Sequence, residues 1–288
     1  MSGPGEQVAE WVGAEVGAFV PLGSRDGGPW RVAVGGTEVV VKVGRRREPF
    51  VVEVAALERA AAFGVAAPRV LAADLGGGLA GHFGVVTSVV RGSSRIPVDV
   101  RAGRLRELGA AAARLHRVVV EPTAELPLRE RAIEDVDFAA DWRERGPAEL
   151  LEEAEQVLEG FDRDGGPRVF LHGDLWQGNT MWVGDSCTGM VDWDGAGTGP
   201  SGVDVGSMRC DAAILHGLGA ADLVLDGWER EAGSRAPDVA RWDVVAALGT
   251  PADLGDWLPV IHGQGRGDLD ARTATARRDE FLRAALGR

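Results

Sequence analysis

The sequence predicts an α+β chain in two lobes, a small β-rich N-terminal part and a larger, mainly helical C-terminal part. Short runs rich in valine, punctuated by glycine, cluster before residue 92, whereas long helix-period patterns take over after about residue 100. The charge changes at nearly the same place, with ten Lys/Arg against nine Asp/Glu in residues 1–95 and 21 against 35 in residues 96–288. These changes place the lobes at 1–92 and 93–288, joined by a hinge around residues 87–93.

In order along the chain, residues 7–20 carry Val8, Trp11, Val12 and Val16 near helical spacing and predict an amphipathic helix. The segment PLGSRDGGPW brings Gly23, Ser24, Gly27 and Gly28 into a glycine-rich turn, and RVAVGGTEVVVKV reads as two strands joined by Gly35-Gly36, a hairpin signal. Residues 50–63 form an alanine-rich helical pattern that Gly64 and Pro68 end, and GHFGVVTSVVRG is a further β-rich run. In the second part, residues 101–118 place Leu105, Leu108, Ala112 and Leu115 on one helix face, and Gly146-Pro147 interrupts helical material over 129–161. RVFLHGDL is a short β-type run, TMWV and TGMVD flank a turn at Gly184 to Cys187, and the chain beyond Asp204 is mostly helical.

Composition narrows the function classes. A net charge of −13 argues against nonspecific binding of nucleic acid, which needs basic surface to displace counterions. No apolar run reaches the roughly 18 residues of a membrane helix. The start MSGPGEQVAEWVG lacks the basic and apolar segments of a secretory leader, so a cytoplasmic protein with no membrane partner is expected. Cys187 and Cys210 form neither a CxxC nor a zinc-ligand spacing. The acidic second part admits two readings, general solvation or attraction of a cationic small molecule.

Lys42, in VVVKV, is the single lysine in a chain whose other thirty basic side chains are arginine. A compact ammonium on a flexible stem suits a site where one cation reaches between phosphates, whereas the arginine fork prefers planar bidentate partners. The densest chemistry lies in FLHGDLWQGNTMWVGDSCTGMVDWDGAGTG, which holds His172, Asp174, Asn179, Asp192 and Asp194. If TMWV and TGMVD fold back as an antiparallel hairpin, Asn179 entering it and Asp192 leaving it lie side by side. A carboxylate beside an amide oxygen suits Mg²⁺, which keeps some waters and takes further oxygens from a nucleotide. Asp174 is left to receive or orient the proton of an incoming hydroxyl. That division of labour is the one phosphoryl transfer requires.

In this order of motifs the chain resembles the aminoglycoside phosphotransferase family, small-molecule kinases of the protein-kinase-like fold. The resemblance runs through the glycine-rich segment, VVVK, a glutamate-bearing helix, ARLH, HGDLWQGN, the VDWD run and GPSGVDVG, although LGSRDGGPW does not reproduce the G-x-G-x-x-G spacing of protein kinases. It implies that residues 1–92 bind nucleotide and that 93–288 carry the catalytic loop, metal site and acceptor site. It further implies Asp174 as the catalytic carboxylate, and Asn179 and Asp192 as Mg²⁺ ligands. Lys42 would meet the α- and β-phosphates of ATP or GTP, with Glu53 rather than Glu58 as its ion-pair partner. Gly23 and Ser24 would lie at the phosphates, with backbone groups of the Thr87 to Val90 hinge, Thr87 and Val89 among them, at the base. His172 would buttress the catalytic loop, Asp204 would fix it through backbone hydrogen bonds, and Asp194 would stand behind the metal or ligate it directly.

The activity so implied is transfer of a γ-phosphoryl group to a hydroxyl of a small molecule, with the acidic second part pointing to an amine-bearing acceptor such as an aminoglycoside, another cationic antibiotic or an amino sugar. Two alternatives stand beside it. One is a metal-dependent hydrolase that ligates metal through His172, Asp174, Asp192 and Asp194. The other is a nucleotide-binding module that keeps the fold without catalysis. His82, His116, His216 and His262 read as packing histidines; Trp176, Trp193, Trp228, Trp242 and Trp257 admit sugar stacking, and Trp176 acceptor-side packing, but read first as core residues.

Overall fold

The structure is a computed structural model that describes residues 11, 16–22, 29–79, 81–134, 136–163 and 165–287. The helical pattern expected over residues 7–20 falls largely outside the described residues, as do Gly23, Ser24, Gly27 and Gly28.

The N-terminal lobe is built on a five-stranded antiparallel sheet with strand order β1-β2-β3-β5-β4. Its strands are β1 (Val20–Pro21), β2 (Trp30–Val34), β3 (Thr37–Gly44), β4 (Val70–Leu79) and β5 (His82–Ser88). Strands β2 and β3 turn at Gly35-Gly36, where φ values of 54° and 81° suit only a residue free of Cβ strain. Alternation along β3 buries Val39 and Val41 with Val32 and Val86 on one face. Val40 and Lys42 therefore point to the opposite face, where helix α1 (Glu48–Ala62) turns Glu53 inward.

Strand β4 carries little of the β-branched signal, because its sequence VLAADLGGGL is mostly small residues. Pairing with β5 makes it a strand, with the register broken between Val70 and Ala72 and again between Asp74 and Leu79.

Helices α2 (Ala102–Leu115), α3 (Ala139–Arg145), α4 (Ala148–Leu158), α5 (Gly202–His216), α6 (Leu218–Ala232), α7 (Val239–Leu248), α8 (Leu258–Gly263) and α9 (Ala271–Leu286) make up most of the C-terminal lobe. Its core gathers Leu105, Leu108, Phe170, Trp193, Met208 and Val224. Helix α5 is buried along most of its length and tied to α7 by Arg209, whose guanidinium grips both oxygens of buried Asp243 at 2.8 and 2.9 Å. Strands β6 (Val169–Leu171) and β9 (Gly197–Gly199) form a small antiparallel pair, and β7 (Thr180–Val183) and β8 (Ser186–Met190) form a hairpin. The loop after β6 and the hairpin between them carry the polar motif. Among the described residues no helix is long and apolar enough to cross a membrane.

Candidate active site

Strand β6 delivers its chain end at His172, Gly173 and Asp174. Gly173 has φ of 79°, and a Cβ there would stand 1.9 Å from the Gly195 carbonyl oxygen, so this turn excludes every side chain. Asp204, at the start of α5 and fully buried, accepts from the backbone amides of both His172 and Gly173 at 2.9 Å. His116 adds a third hydrogen bond at 3.0 Å, and its other ring nitrogen accepts from the Trp228 indole. Burial by itself would raise the pKa of Asp204, but the His116 hydrogen bond, the two neighbouring imidazoles and the His172 amide outweigh it, and the pKa is lowered.

The His172 ring meets the Val191 carbonyl oxygen at 3.0 Å and lies against Trp193, their centroids 4.6 Å apart. An imidazole nitrogen facing a carbonyl must donate, so that nitrogen is not a metal ligand. Burial lowers the pKa of this histidine. Among the described residues no group of three or more His, Cys, Asp or Glu is placed to hold a metal ion. The hydrolase alternative, which needed His172 in a four-ligand cluster, loses that cluster.

Asn179 stands at the mouth of the β7–β8 hairpin, where its carbonyl accepts from Val191 at 2.9 Å and brings Asp192 alongside. Its side-chain amide nitrogen donates to the Asp174 carbonyl at 2.8 Å and the Asp174 carboxylate at 2.9 Å. Both contacts fix the amide so that Oδ1 remains its acceptor atom. Asp192 has φ of 68°, a backbone conformation that costs a residue with a Cβ and is concentrated at functional sites.

Lys42 completes the arrangement from the other lobe. Its Nζ lies 2.6 Å from Glu53 Oε1 and 2.6 Å from Asp192 Oδ1. Burial would lower its pKa, but Asp192, Glu53 and Asp194 prevail, so the ammonium stays protonated. Glu58 is exposed on the other side of α1. Thr87 is buried on β5 and shares the Lys42 face of the sheet, since Val85 pairs with Lys42 and Thr87 with Val40; Val89 follows, half-buried.

A cavity of about 380 Å³ opens beside these groups, lined by Asp174, Asp192, Asp194 and Asp211 on its polar side. Burial, then the charges of Asp192, Asp211 and Asp194, holds the Asp174 carboxyl well above its ordinary range. Carboxylates that raise one another's pKa in this way mark a place short of positive charge. Together with the Asn179 amide oxygen, Asp192 offers the hard oxygen donors that suit Mg²⁺, two from the protein with the rest left to water and phosphate. The residues present therefore fit the ion.

Sequence reasoning singled out Asp174, Asn179, Asp192 and Lys42, and the structure brings them together. It missed Asp211 and Phe138, which line the same cavity, and it favoured the core for Trp176 and Trp257, which are also in the lining. One signal for Asp211 was present: it follows Asp204 by seven residues, two helical turns, and so shares its face of α5.

Comparison with known proteins adds an independent observation. A family model described as "phosphotransferase enzyme family" matches residues 28–242. No curated protein matches the chain in sequence. Among solved structures, the chain is similar to the aminoglycoside phosphotransferase APH(4)-Ia, with 17% identity, TM-score 0.64 and 97% of each chain covered. A thermostable mutant of that enzyme, in ternary complex with ADP and hygromycin B, aligns with 16% identity and TM-score 0.65 over 98% of this chain and 99% of the other. The macrolide 2′-phosphotransferase MphH from Brachybacterium faecium aligns with 19% identity and TM-score 0.60, covering 94% of this chain and 96% of that one. At such identities these likenesses speak to the fold, which is bilobal and kinase-like.

Proposed function

The chain belongs to the phosphotransferase enzyme family, and from that premise we propose that it is an ATP- or GTP-dependent O-phosphotransferase whose acceptor is an amine-bearing small molecule. The observation that carries this reading is the placing of Lys42 between Glu53 and Asp192, beside an Asp174 carboxylate steadied by Asn179.

Each of these residues has a task in such a reaction. Lys42 neutralises nucleotide phosphate, and Glu53 holds its ammonium in place when Asp192 turns to a cation. Asn179 and Asp192 would hold Mg²⁺, which when bound offsets charge on the phosphates. Asp174 orients the acceptor hydroxyl and takes its proton as the new P–O bond forms, while the bond to the β-phosphate bridging oxygen breaks and the nucleoside diphosphate, ADP or GDP, leaves. A carboxyl whose pKa is raised by burial and by neighbouring carboxylates is a stronger base for that proton than an ordinary aspartate. Asp204 keeps the loop in register through the His172 and Gly173 amides. The Thr87 to Val90 segment presents backbone groups to the base, and residues 1–92 act as the nucleotide lobe.

The experiment is to measure nucleoside diphosphate release with Mg²⁺ and ATP or GTP across aminoglycosides, other basic antibiotics, amino sugars, neutral sugars and amino alcohols, with Asp174→Ala as control. Release confined to one acceptor class and lost in the control is expected. Nucleotide binding with no release across the whole panel would instead favour a module without catalysis.

A further inference from the structure

Asp211 projects from α5 into the cavity and makes no hydrogen bond or ion pair with any described residue. The other charged groups of the lining are engaged. Asp174 is held by Asn179, Asp192 by Lys42, and Arg129 is spent on the Ala196 carbonyl and on Glu134. Glu134 in turn accepts from the Glu130 amide, and Asp194 adds its charge on the Lys42 side. A half-buried carboxylate with no partner is costly, and it is offset when a cationic ligand supplies one.

The rest of the cavity is apolar. Phe138 and Trp257 meet edge to face with centroids 5.9 Å apart, Trp176 and Ile261 continue the wall, and Val136 and Val260 carry it outward. The last two are 42% and 44% exposed, so the apolar surface runs past the mouth instead of ending inside it. Aliphatic and indole surface of this kind gives a polyhydroxylated polyamine few hydrogen-bond partners, while it favours a ligand that brings an apolar body.

Resting on the phosphotransferase reading, we infer that the acceptor is an amphiphile, with a single amine near the phosphorylated hydroxyl paired by Asp211 and an apolar body laid along Trp176, Phe138, Trp257 and Val260. Asp211 is then the residue that selects the amine, and the aromatic wall is what selects against small or polycationic sugars.

Calorimetric titration of the full chain with n-octyl glucosaminide, n-octyl glucoside, free glucosamine and a polyamine sugar tests the inference directly. The octyl glucosaminide is expected to bind about tenfold or more tightly than any of the others. Asp211→Asn should remove the advantage of the amine and leave octyl glucoside binding as it was, while Trp257→Ala should weaken both octyl probes alike. Thermal melting of both variants establishes that they fold. Tighter binding of the polyamine, equal binding of glucosamine with and without the chain, or no binding of any probe would overturn the inference. Diphosphate release separates the two readings: selective binding without release removes the kinase reading and leaves the amphiphile site, whereas release with the polyamine alone keeps the kinase and removes the amphiphile.

Discussion

The ammonium of Lys42 on strand β3 lies 2.6 Å from the carboxylate of Asp192, 150 residues later in the chain and in the other lobe. Glu53 meets the same nitrogen from α1. One cation thus bridges two carboxylates, and it does so at the junction of a sheet, a helix and a hairpin.

Removing that cation leaves Glu53, almost wholly buried, without its partner. Lys42→Met is expected to lower stability at neutral pH by about 3–5 kcal/mol, the usual cost of breaking one side of a buried pair. It should also lower kcat by about a hundredfold or more, as expected when a positioned charge on a transferring phosphate is lost. Lys42→Arg should restore stability better than turnover, because the planar guanidinium cannot replace a point charge between phosphates. Chemical denaturation and steady-state kinetics read the two effects separately, and a variant with unchanged kcat and KM for ATP would remove Lys42 from the reaction.

Asp174→Asn keeps the hydrogen-bonding shape of the loop while removing the base. Turnover should fall by about 10²–10⁴, the range a positioned general base supplies, with nucleotide affinity altered only a few-fold. Single-turnover kinetics with a nucleotide titration on the same protein is the measurement, and near-normal turnover would exclude the proposed role.

Asp211 gives the chain a pH signature. Burial pushes its carboxyl up to about 7, against 3.8 for an ordinary aspartate. The folded state therefore holds a proton that the unfolded chain releases, so this contribution to stability is present below about pH 4 and is lost as the pH rises through about 7. Relative to wild type, Asp211→Asn should gain a few degrees in melting temperature between pH 4 and pH 8. The same difference at both values would mean that Asp211 ionises as a solvated group.

Asp204 should behave in the opposite sense. Its pKa is lowered in the fold, so its stabilisation is present above the ordinary carboxylate range and fades as acid protonates it below that range. Asp204→Asn turns a donor toward the His172 and Gly173 amides and should cost about 1–3 kcal/mol for each amide left unmatched. Hydrogen exchange at those two amides should rise in the variant, and unchanged protection would show that the loop is held by other contacts.

Much of the site was legible because it is local. Asp174 and Asn179 sit five residues apart on one loop, and the hairpin that brings Asp192 to Asn179 is only two strands and a turn. The Gly35-Gly36 hairpin was legible for the same reason, since its turn chemistry is written in adjacent residues. Strand β4 was not, because alanine and glycine carry no strand signal and its conformation comes from pairing with β5. Asp211 was hidden among the residues of a buried helix, and Phe138 and Trp257 looked like any other core aromatics.

The sequence by itself determined the α+β division, the hairpins and the spacing of the polar motif, because turn residues, periodicity and charge act over a few residues at a time. Only the tertiary structure decided that Lys42 meets Asp192 across the lobes, and that Asp211 and Trp257 line one cavity. Those meetings depend on how α5, the β7–β8 hairpin and the sheet pack. Packing is set by the whole core at once rather than by any stretch of the chain.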